Sequence, residues 1–180
     1  MKDIALHILD IANNSVSAKA KLIEITVDEQ TADNTLTITI KDDGRGRSPE
    51  FLSKVTDPFT TTRTTRKVGM GISLLKQNAE MTGGYLTIES TENVGTTLKA
   101  VFVANHIDLP PLGDLAGVIT ILITGNSEID FIYLQRKNNK SIKFGAFEIK
   151  EALEEVSIND PRIVKYVNEM IEEGIKDIYV

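Results

Sequence analysis

The sequence contains no cysteine and no tryptophan, and its 180 residues include only two histidines. The lack of cysteine excludes disulfide bonds and thiolate metal sites, and it agrees with a reducing compartment. No apolar run approaches the roughly 20 residues that a membrane-spanning helix needs. The N-terminal segment MKDIALHILD carries acidic residues where a secretion signal would carry basic ones. We therefore predict a cytoplasmic protein that has no membrane partner.

Basic residues are also outnumbered. The chain has 20 Lys and Arg against 26 Asp and Glu, which gives a formal net charge of −6. A general nucleic-acid-binding surface is therefore not expected. Hydrophobic residues make up 41% of the chain and charged residues 26%, which is typical of a folded globular protein with a sizeable core.

The apolar pattern of the first part of the chain predicts a two-layer α/β domain at residues 1–104. In order, it consists of a helix, two antiparallel strands, a long loop, a second helix and two more strands, at 3–18, 22–29, 35–42, 43–68, 71–84, 85–90 and 96–105. The long loop lacks any periodicity, and loops of that length in compact domains are usually functional or disordered.

The rest of the chain is predicted as a linker at 105–116 and a small α+β domain of unknown role at 117–180. Two prolines and a glycine interrupt the periodicity within the linker. The predicted elements of the small domain are the strands GVITILITG, DFIYLQR and SIKFGAF and the helices at 148–156 and 161–174.

Two adjacent aspartates stand where the second strand runs into the turn DDGRG. Successive strand side chains point to opposite faces, so Asp42 shares the apolar face of its strand and Asp43 does not. A carboxylate on a buried face requires a hydrogen-bond donor, and the exocyclic amine of adenine would supply one. Gly44 and Gly46 would let the backbone approach a flat base. The alternative is a tight turn whose amides Asp42 caps.

The first helix carries a second polar pair. Asp10 and Asn14 lie one turn apart on the same face. A carboxylate there can polarise a water molecule, and the amide oxygen of Asn14 can join the shell of a Mg²⁺ ion. The same spacing also fits an ordinary solvated helix face, so it does not decide between the two by itself.

Two glycines, Gly69 and Gly71, precede the second helix in KVGMGISLL. Free N–H groups at a helix N-terminus attract anions, and glycines let phosphates come close. The preceding loop adds Arg63, Arg66 and Lys67. A charged surface loop is the alternative, since the phosphate-binding pattern GxxxxGK[ST] does not occur in the sequence.

Taken in order, the segments DIANNSVSAKAKLIEI, DDGRG, PFTTTRTTRKVGMGISLL and GGYLTIES…GTTLKAVF resemble the histidine-kinase-like ATPase superfamily, which includes gyrase, histidine kinases and MutL. The resemblance covers residues 1 to about 104. It implies an α+β sandwich with a mixed, mainly antiparallel sheet. It also implies that ATP and Mg²⁺ bind between the helices and a lid.

The resemblance further implies roles for individual residues. Asp42 would bind adenine, Asn14 would bind Mg²⁺ and Asp10 would be the catalytic carboxylate. The other implied nucleotide-binding positions, from the base pocket, the lid and the Gly-Thr motif near the base, are Gly44, Gly46, Lys67, Gly69, Gly71, Thr96 and Thr97.

Two positions depart from the family pattern. Hydrolases of the family commonly carry Glu at the catalytic position, where this chain has the shorter Asp10, so efficient hydrolysis is not expected. After the second glycine of DDGRG the family prefers an apolar residue, whereas this chain has Arg47. Its side chain would either cover the base or point to solvent.

The histidines argue against self-phosphorylation. His7 is interpreted as part of a polar helix face and His106 as an exposed linker residue, and no phosphoacceptor hairpin is seen before the domain. Three functions stay open: a kinase acting on a separate protein, a slow ATPase, and a nucleotide-controlled binding module similar to anti-sigma regulators. We rank first a signalling ATP-binding protein with a protein partner or phosphoacceptor of unknown identity, and a homodimer stays open.

Overall fold

The computed structural model of the protein describes residues 3–55 and 70–180. Six strands form one sheet: β1 (Leu22–Gln30), β2 (Thr35–Asp42), β3 (Tyr85–Thr91), β4 (Gly95–Val103), β5 (Asp130–Lys137) and β6 (Lys140–Gly145). The helices are α1 (Ile4–Ser17), α2 (Pro49–Val55), α3 (Met70–Met81), α4 (Leu115–Gly125), α5 (Ala146–Leu153) and α6 (Pro161–Tyr179). Among the residues so described, no helix is both long and apolar enough to cross a membrane.

The strands lie in the order β3-β4-β2-β1-β5-β6. All neighbouring pairs are antiparallel except β1 and β5, which run parallel. This arrangement confirms the predicted fold class, a mixed and mainly antiparallel sheet covered by helices.

One face of the sheet is buried beneath the helices, and the other is half-buried or exposed. The apolar and polar residues that alternate along β1 and β2 in the sequence point to these two faces in turn. Each fully buried Ile or Leu contributes roughly 1.5–3 kcal/mol to folding. The buried face consists of Ile23, Ile25, Val27, Leu36, Ile38, Ile40, Leu98, Ala100, Phe102, Phe131, Tyr133 and Gln135.

The predicted strand GVITILITG is wrong, because this segment lies within helix α4. The side chain of Asp114 begins the helix by accepting the N–H of Gly117 at 2.8 Å. The helix packs against both α1 and α6, and its buried residues occupy more than one face. A helix that is apolar on all sides has no amphipathic period, so its run of β-branched residues looks like a buried strand.

Smaller differences concern the other predicted elements. The predicted loop at 43–68 contains α2, and the predicted helices at 148–156 and 161–174 correspond to α5 and α6. The predicted C-terminal unit at 117–180 shares its sheet with the N-terminal part, because β5 pairs with β1. The boundary at 105–116 stays a prediction.

A chain of polar side chains fixes the end of α6 to the sheet. The hydroxyl of Tyr133 donates to Gln135 Oε1, and Gln135 Nε2 donates to the Tyr179 hydroxyl at 3.3 Å. The Tyr179 hydroxyl donates to Glu29 Oε2 at 3.1 Å, and Lys137 Nζ donates to Glu29 Oε1 at 3.0 Å. Burial raises the pKa of Tyr179 to about 12. The phenol therefore keeps the proton that it donates.

We expect Tyr179→Phe to lower the free energy of unfolding by about 1 kcal/mol, because Gln135 and Glu29 each lose a hydrogen-bond partner. Thermal denaturation followed by circular dichroism should show a Tm lower by roughly 2–4 °C. Tyr166→Phe is the matched control, since Tyr166 lies on the same helix and is 61% exposed. Equal effects of the two substitutions would contradict this role of Tyr179.

Candidate functional site

The candidate site lies where α1 meets the end of β2. Asp3 begins α1 by accepting the N–H of Leu6 at 2.9 Å. The apolar face of the helix, which includes Ile8 and Ile11, is buried in the core.

Both carboxylate oxygens of Asp42 accept hydrogen bonds. Ser15 Oγ donates to Asp42 Oδ2 at 2.6 Å, and the N–H of Gly44 donates to Asp42 Oδ1 at 2.9 Å. The first bond puts the carboxylate on the helix-covered face, as the parity of the strand predicts. The second is the capping bond that the tight-turn alternative predicts. Each oxygen keeps a further lone pair, so Asp42 can still accept a hydrogen bond from a ligand.

Asp43 has a structural task. Its Oδ1 accepts the N–H groups of Lys21 and Leu22 at 2.8 and 3.0 Å. Burial by itself would raise the pKa of Asp43, but these backbone hydrogen bonds outweigh burial and lower it. Asp43 therefore ties the turn to the start of β1, while Asp42 faces the helices.

A narrow cleft opens beside Asp42. Its enclosed part holds about 30 Å³, room for about one or two water molecules. An adenine ring would therefore enter only if side chains of the wall moved outward, and the wall near α2 consists of Arg47 and Leu52. The remaining lining residues come from α1, α3 and the sheet: Ile11, Asn14, Ser15, Ala18, Ile40, Ile72, Ile88, Thr96 and Leu98.

The two glycines of DDGRG pack against protein backbone, and neither is among the residues that line the cleft. Gly46 has φ +68, and a Cβ there would lie 2.1 Å from the carbonyl oxygen of Thr91. A Cβ at Gly44 would lie 2.9 Å from the carbonyl oxygen of Ala18. The turn thus packs between the end of α1 and the β3–β4 turn, and Gly46 suits both its conformation and its space.

Asp10 and Asn14 each have a buried polar atom without a hydrogen-bond partner among residues 3–55 and 70–180, namely Asp10 Oδ2 and Asn14 Nδ2. Burial raises the pKa of Asp10. Buried polar atoms normally find partners, so such a pair indicates a place for a polar ligand.

The same pair fits a magnesium-bound phosphate. The Asn14 amide can turn to present its oxygen, which is a kind of ligand that Mg²⁺ accepts. No three His, Cys, Asp or Glu side chains in the described ranges gather into a metal cluster. A Mg²⁺ ion here would therefore depend on Asn14, water and the phosphate oxygens of a nucleotide.

Gly71, in the first turn of α3, lies directly against Asp10. A Cβ at Gly71 would be 1.7 Å from Asp10 Oδ2, so any side chain would displace the carboxylate. The predicted positions Lys67 and Gly69 lie outside the described residues.

His7 is buried, which makes its interpretation as a polar helix face wrong. It is 1% exposed, and Asn78 Nδ2 of α3 donates to its Nε2 at 3.0 Å. Burial lowers the pKa of His7, so the ring is neutral at pH 7. The polar partner comes from a helix far along the chain, and no local pattern indicates it.

Two serines in the site were missed by sequence reasoning. Ser15 holds Asp42, and Ser90 Oγ lies 2.8 Å from Thr96 Oγ1 and accepts the N–H of Arg47 at 2.8 Å. Both serines stand at inward positions of apolar patterns, and a hydroxyl at such a position signals a buried polar partner. Of the two predicted threonines, Thr96 lines the cleft, whereas Thr97 points to the opposite face of the sheet.

A known family covers the part of the chain that contains this site. The model of the histidine kinase-, DNA gyrase B- and HSP90-like ATPases matches residues 2–109. The chain belongs to this family.

Two of the curated relatives are named as histidine kinases. A putative sensor histidine kinase NtrY-like of Rickettsia bellii is 28% identical over 120 residues, which are 67% of this chain and 19% of the relative. The histidine protein kinase DivJ of Caulobacter vibrioides is 30% identical over 96 residues, which are 51% of this chain and 16% of DivJ. The chain therefore spans less than a fifth of the length of these relatives.

Two solved structures share the fold. The N-terminal domain of a DNA repair protein has a TM-score of 0.54 and 17% identity, covering 81% of this chain and 52% of that one. The Aquifex aeolicus MutL ATPase domain complexed with ADP has a TM-score of 0.53 and 14% identity, covering 80% of this chain and 64% of that one. Since the family match ends at residue 109, this coverage shows that the likeness of fold extends into the C-terminal elements.

We expect Asp10→Asn to raise Tm by roughly 2 °C at pH 7, because it removes a half-buried charge whose Oδ2 has no hydrogen-bond partner among the described residues. The raised pKa of Asp10 means that the folded state favours the protonated carboxyl. The parent protein therefore loses stability relative to Asp10→Asn as the pH rises through the raised pKa of Asp10, because the buried carboxyl then becomes charged. Denaturation at pH 4 and pH 7 should show a gap that widens with pH.

Asp33→Asn is the control for this experiment, since Asp33 is an exposed aspartate in the β1–β2 turn. A Tm for Asp10→Asn at or below that of the parent at pH 7 would show that Asp10 is not a destabilising charge.

Proposed function

We propose that the chain binds ATP with Mg²⁺ in the cleft beside Asp42 and acts as a signalling ATPase or as a kinase for a separate protein. The observation that carries the proposal is the cleft itself, in which Asp42 faces buried space and Asn14 lines the α1 side, with Asp10 one helical turn from Asn14. Asn14 Nδ2 and Asp10 Oδ2 are buried and have no hydrogen-bond partner among the described residues. The family membership and the ADP in the MutL neighbour support the choice of nucleotide.

In this proposal Asp42 recognises the base. Its carboxylate is already oriented by Ser15 and the N–H of Gly44, so little ordering remains when it accepts the exocyclic amine of adenine. Guanine has a carbonyl oxygen at the corresponding position and would face the carboxylate without a proton to donate. Asp42 therefore favours adenine over guanine.

The α1 pair handles the phosphates. Asn14 would hold Mg²⁺, which supplies positive charge to the phosphate oxygens when it is bound. Asp10, one helical turn away, would accept the proton of an attacking water or hydroxyl group. Its burial raises its pKa toward the working pH, which suits a general base.

The names of the curated relatives support a role in signalling, with another protein as partner or phosphoacceptor. The second candidate is a binding module that the nucleotide controls without turnover. The observation that favours it is the length of Asp10, since an aspartate reaches less far than the glutamate common in hydrolases of the family. Phosphate transfer to a partner would favour the kinase, and ATP-dependent partner binding without transfer would favour the module.

We expect Asp42→Asn to weaken ATP binding ten-fold or more, because a hydrogen bond to a charged group is typically worth about 1.5–3 kcal/mol. Calorimetric titration with ATP and Mg²⁺ measures the change. Asp43→Asn is the matched control, since it removes the neighbouring charge and should spare the affinity of the folded protein. Unchanged ATP affinity in folded Asp42→Asn would refute the assignment of the base site.

We also expect turnover that is slow but measurable. Asp places its oxygens about 1.5 Å short of a Glu, and a displacement of about that size can cost on the order of 100-fold in rate. Asp10→Asn should abolish phosphate release and leave ATP binding intact, whereas Asp10→Glu should match or exceed the parent. Hydrolysis by Asp10→Asn at the parental rate would show that Asp10 is not the base.

A further inference from the structure

Arg47 occupies the base side of the cleft and does not simply point to solvent. Its side chain is half-buried and lines the cleft together with Asp42, Thr96 and Leu52. Its backbone N–H is held by Ser90, whose hydroxyl also lies beside Thr96. Thr96 pairs with Asp42 across the β2–β4 ladder. A series of short contacts thus connects Arg47 to Asp42, whose carboxylate would recognise the base.

The guanidinium of Arg47 has an aromatic ring on one side. Its central carbon lies 4.5 Å from the centroid of the Phe51 ring, which is within the range of a cation–π contact. Phe51 does not line the cleft; it lines a separate outer groove, and Arg47 lines both. The arginine side chain therefore forms a partition, with Phe51 behind it and the cleft in front.

The positive charge of Arg47 is only partly balanced by negative charge nearby. Burial lowers the pKa of Arg47, the nearby charge of Arg45 lowers it further and Asp42 opposes the change. Within the described part of the chain, no carboxylate lies within ion-pair distance of its guanidinium. A planar, weakly hydrated cation in this situation gains from a second aromatic partner on the side away from Phe51.

We propose that Arg47 is a specificity-determining residue that stacks its guanidinium on the purine ring of the bound nucleotide, with Phe51 supporting it from behind. This inference rests on the proposed function, since it takes the cleft as the base site. In the nucleotide-bound state the guanidinium lies further out than in the structure, which leaves room for the ring. It then covers the face of the base, while Asp42 accepts a hydrogen bond from the edge of the base. Phe51 is a positioning residue, because it acts only through Arg47.

The first arm of the test compares Arg47→Met with Arg45→Met, which removes the same charge from an exposed side chain two positions earlier. Calorimetric titrations use ADP and ATP, each at 50 and 300 mM KCl. We expect Arg47→Met to weaken both nucleotides by the same factor, about ten-fold, at both salt concentrations. Arg45→Met should bind both nucleotides with the affinity of the parent.

The second arm tests Phe51. We expect Phe51→Leu to weaken ADP binding about three-fold and Phe51→Tyr to restore it, because a Tyr ring also supports a cation. The double variant Arg47→Met, Phe51→Leu should bind ADP no more weakly than Arg47→Met alone. If the loss of ADP affinity in the double variant equals the product of the two single losses, the positioning role of Phe51 is overturned.

The results that would contradict the role of Arg47 can be distinguished from those that would contradict the proposed function. A parent that binds neither ADP nor ATP overturns both. A parent that binds them, with Arg47→Met as tight as Arg45→Met, overturns the stacking role alone. The stacking role is also overturned if Arg47→Met loses more affinity for ATP than for ADP and if this loss becomes smaller at the higher salt concentration. The guanidinium would then contact the phosphates.

Discussion

The hydrogen bond of 2.6 Å between Ser15 and Asp42 is the contact on which the candidate site depends. It joins the main helix of the site to the strand that ends at the cleft, and it exists because the parity of β2 turns one of two neighbouring carboxylates inward. Asp43 then binds the start of β1 from the other face. A shift of β2 by a single residue would exchange the two carboxylates and remove the site.

Two polar residues of α1 carry a cost in stability that fits a binding role. Asp10 and Asn14 keep buried atoms without partners among the described residues, and Gly71 leaves room for the carboxylate where any other residue would fill it. A protein selected for stability alone would pair or remove such groups. Their presence beside an oriented Asp42 is what distinguishes a binding site from a surface crevice.

The sequence predicts those parts of the fold that have a local period. The alternation at β1 and β2 fixes which side chains face the core, and it correctly predicts that Asp42 lies on the helix-covered face. Helix α4 was mistaken for a strand because apolar residues on all of its sides remove its period, and the burial of His7 could not be predicted because its partner Asn78 lies on another helix. The width of the cleft depends on Arg47 and Leu52, whose positions are set by tertiary packing.

The parallel pairing of β1 with β5 also has a consequence for the assembly of the chain. The residues that match the family end at 109, yet the partner of β1 begins at Asp130. Until β5 arrives, the backbone of β1 between Leu22 and Glu29 presents an open edge of unpaired N–H and C=O groups. Protein shortened to the family match would carry that edge permanently, and it would be prone to join strands with other copies of itself.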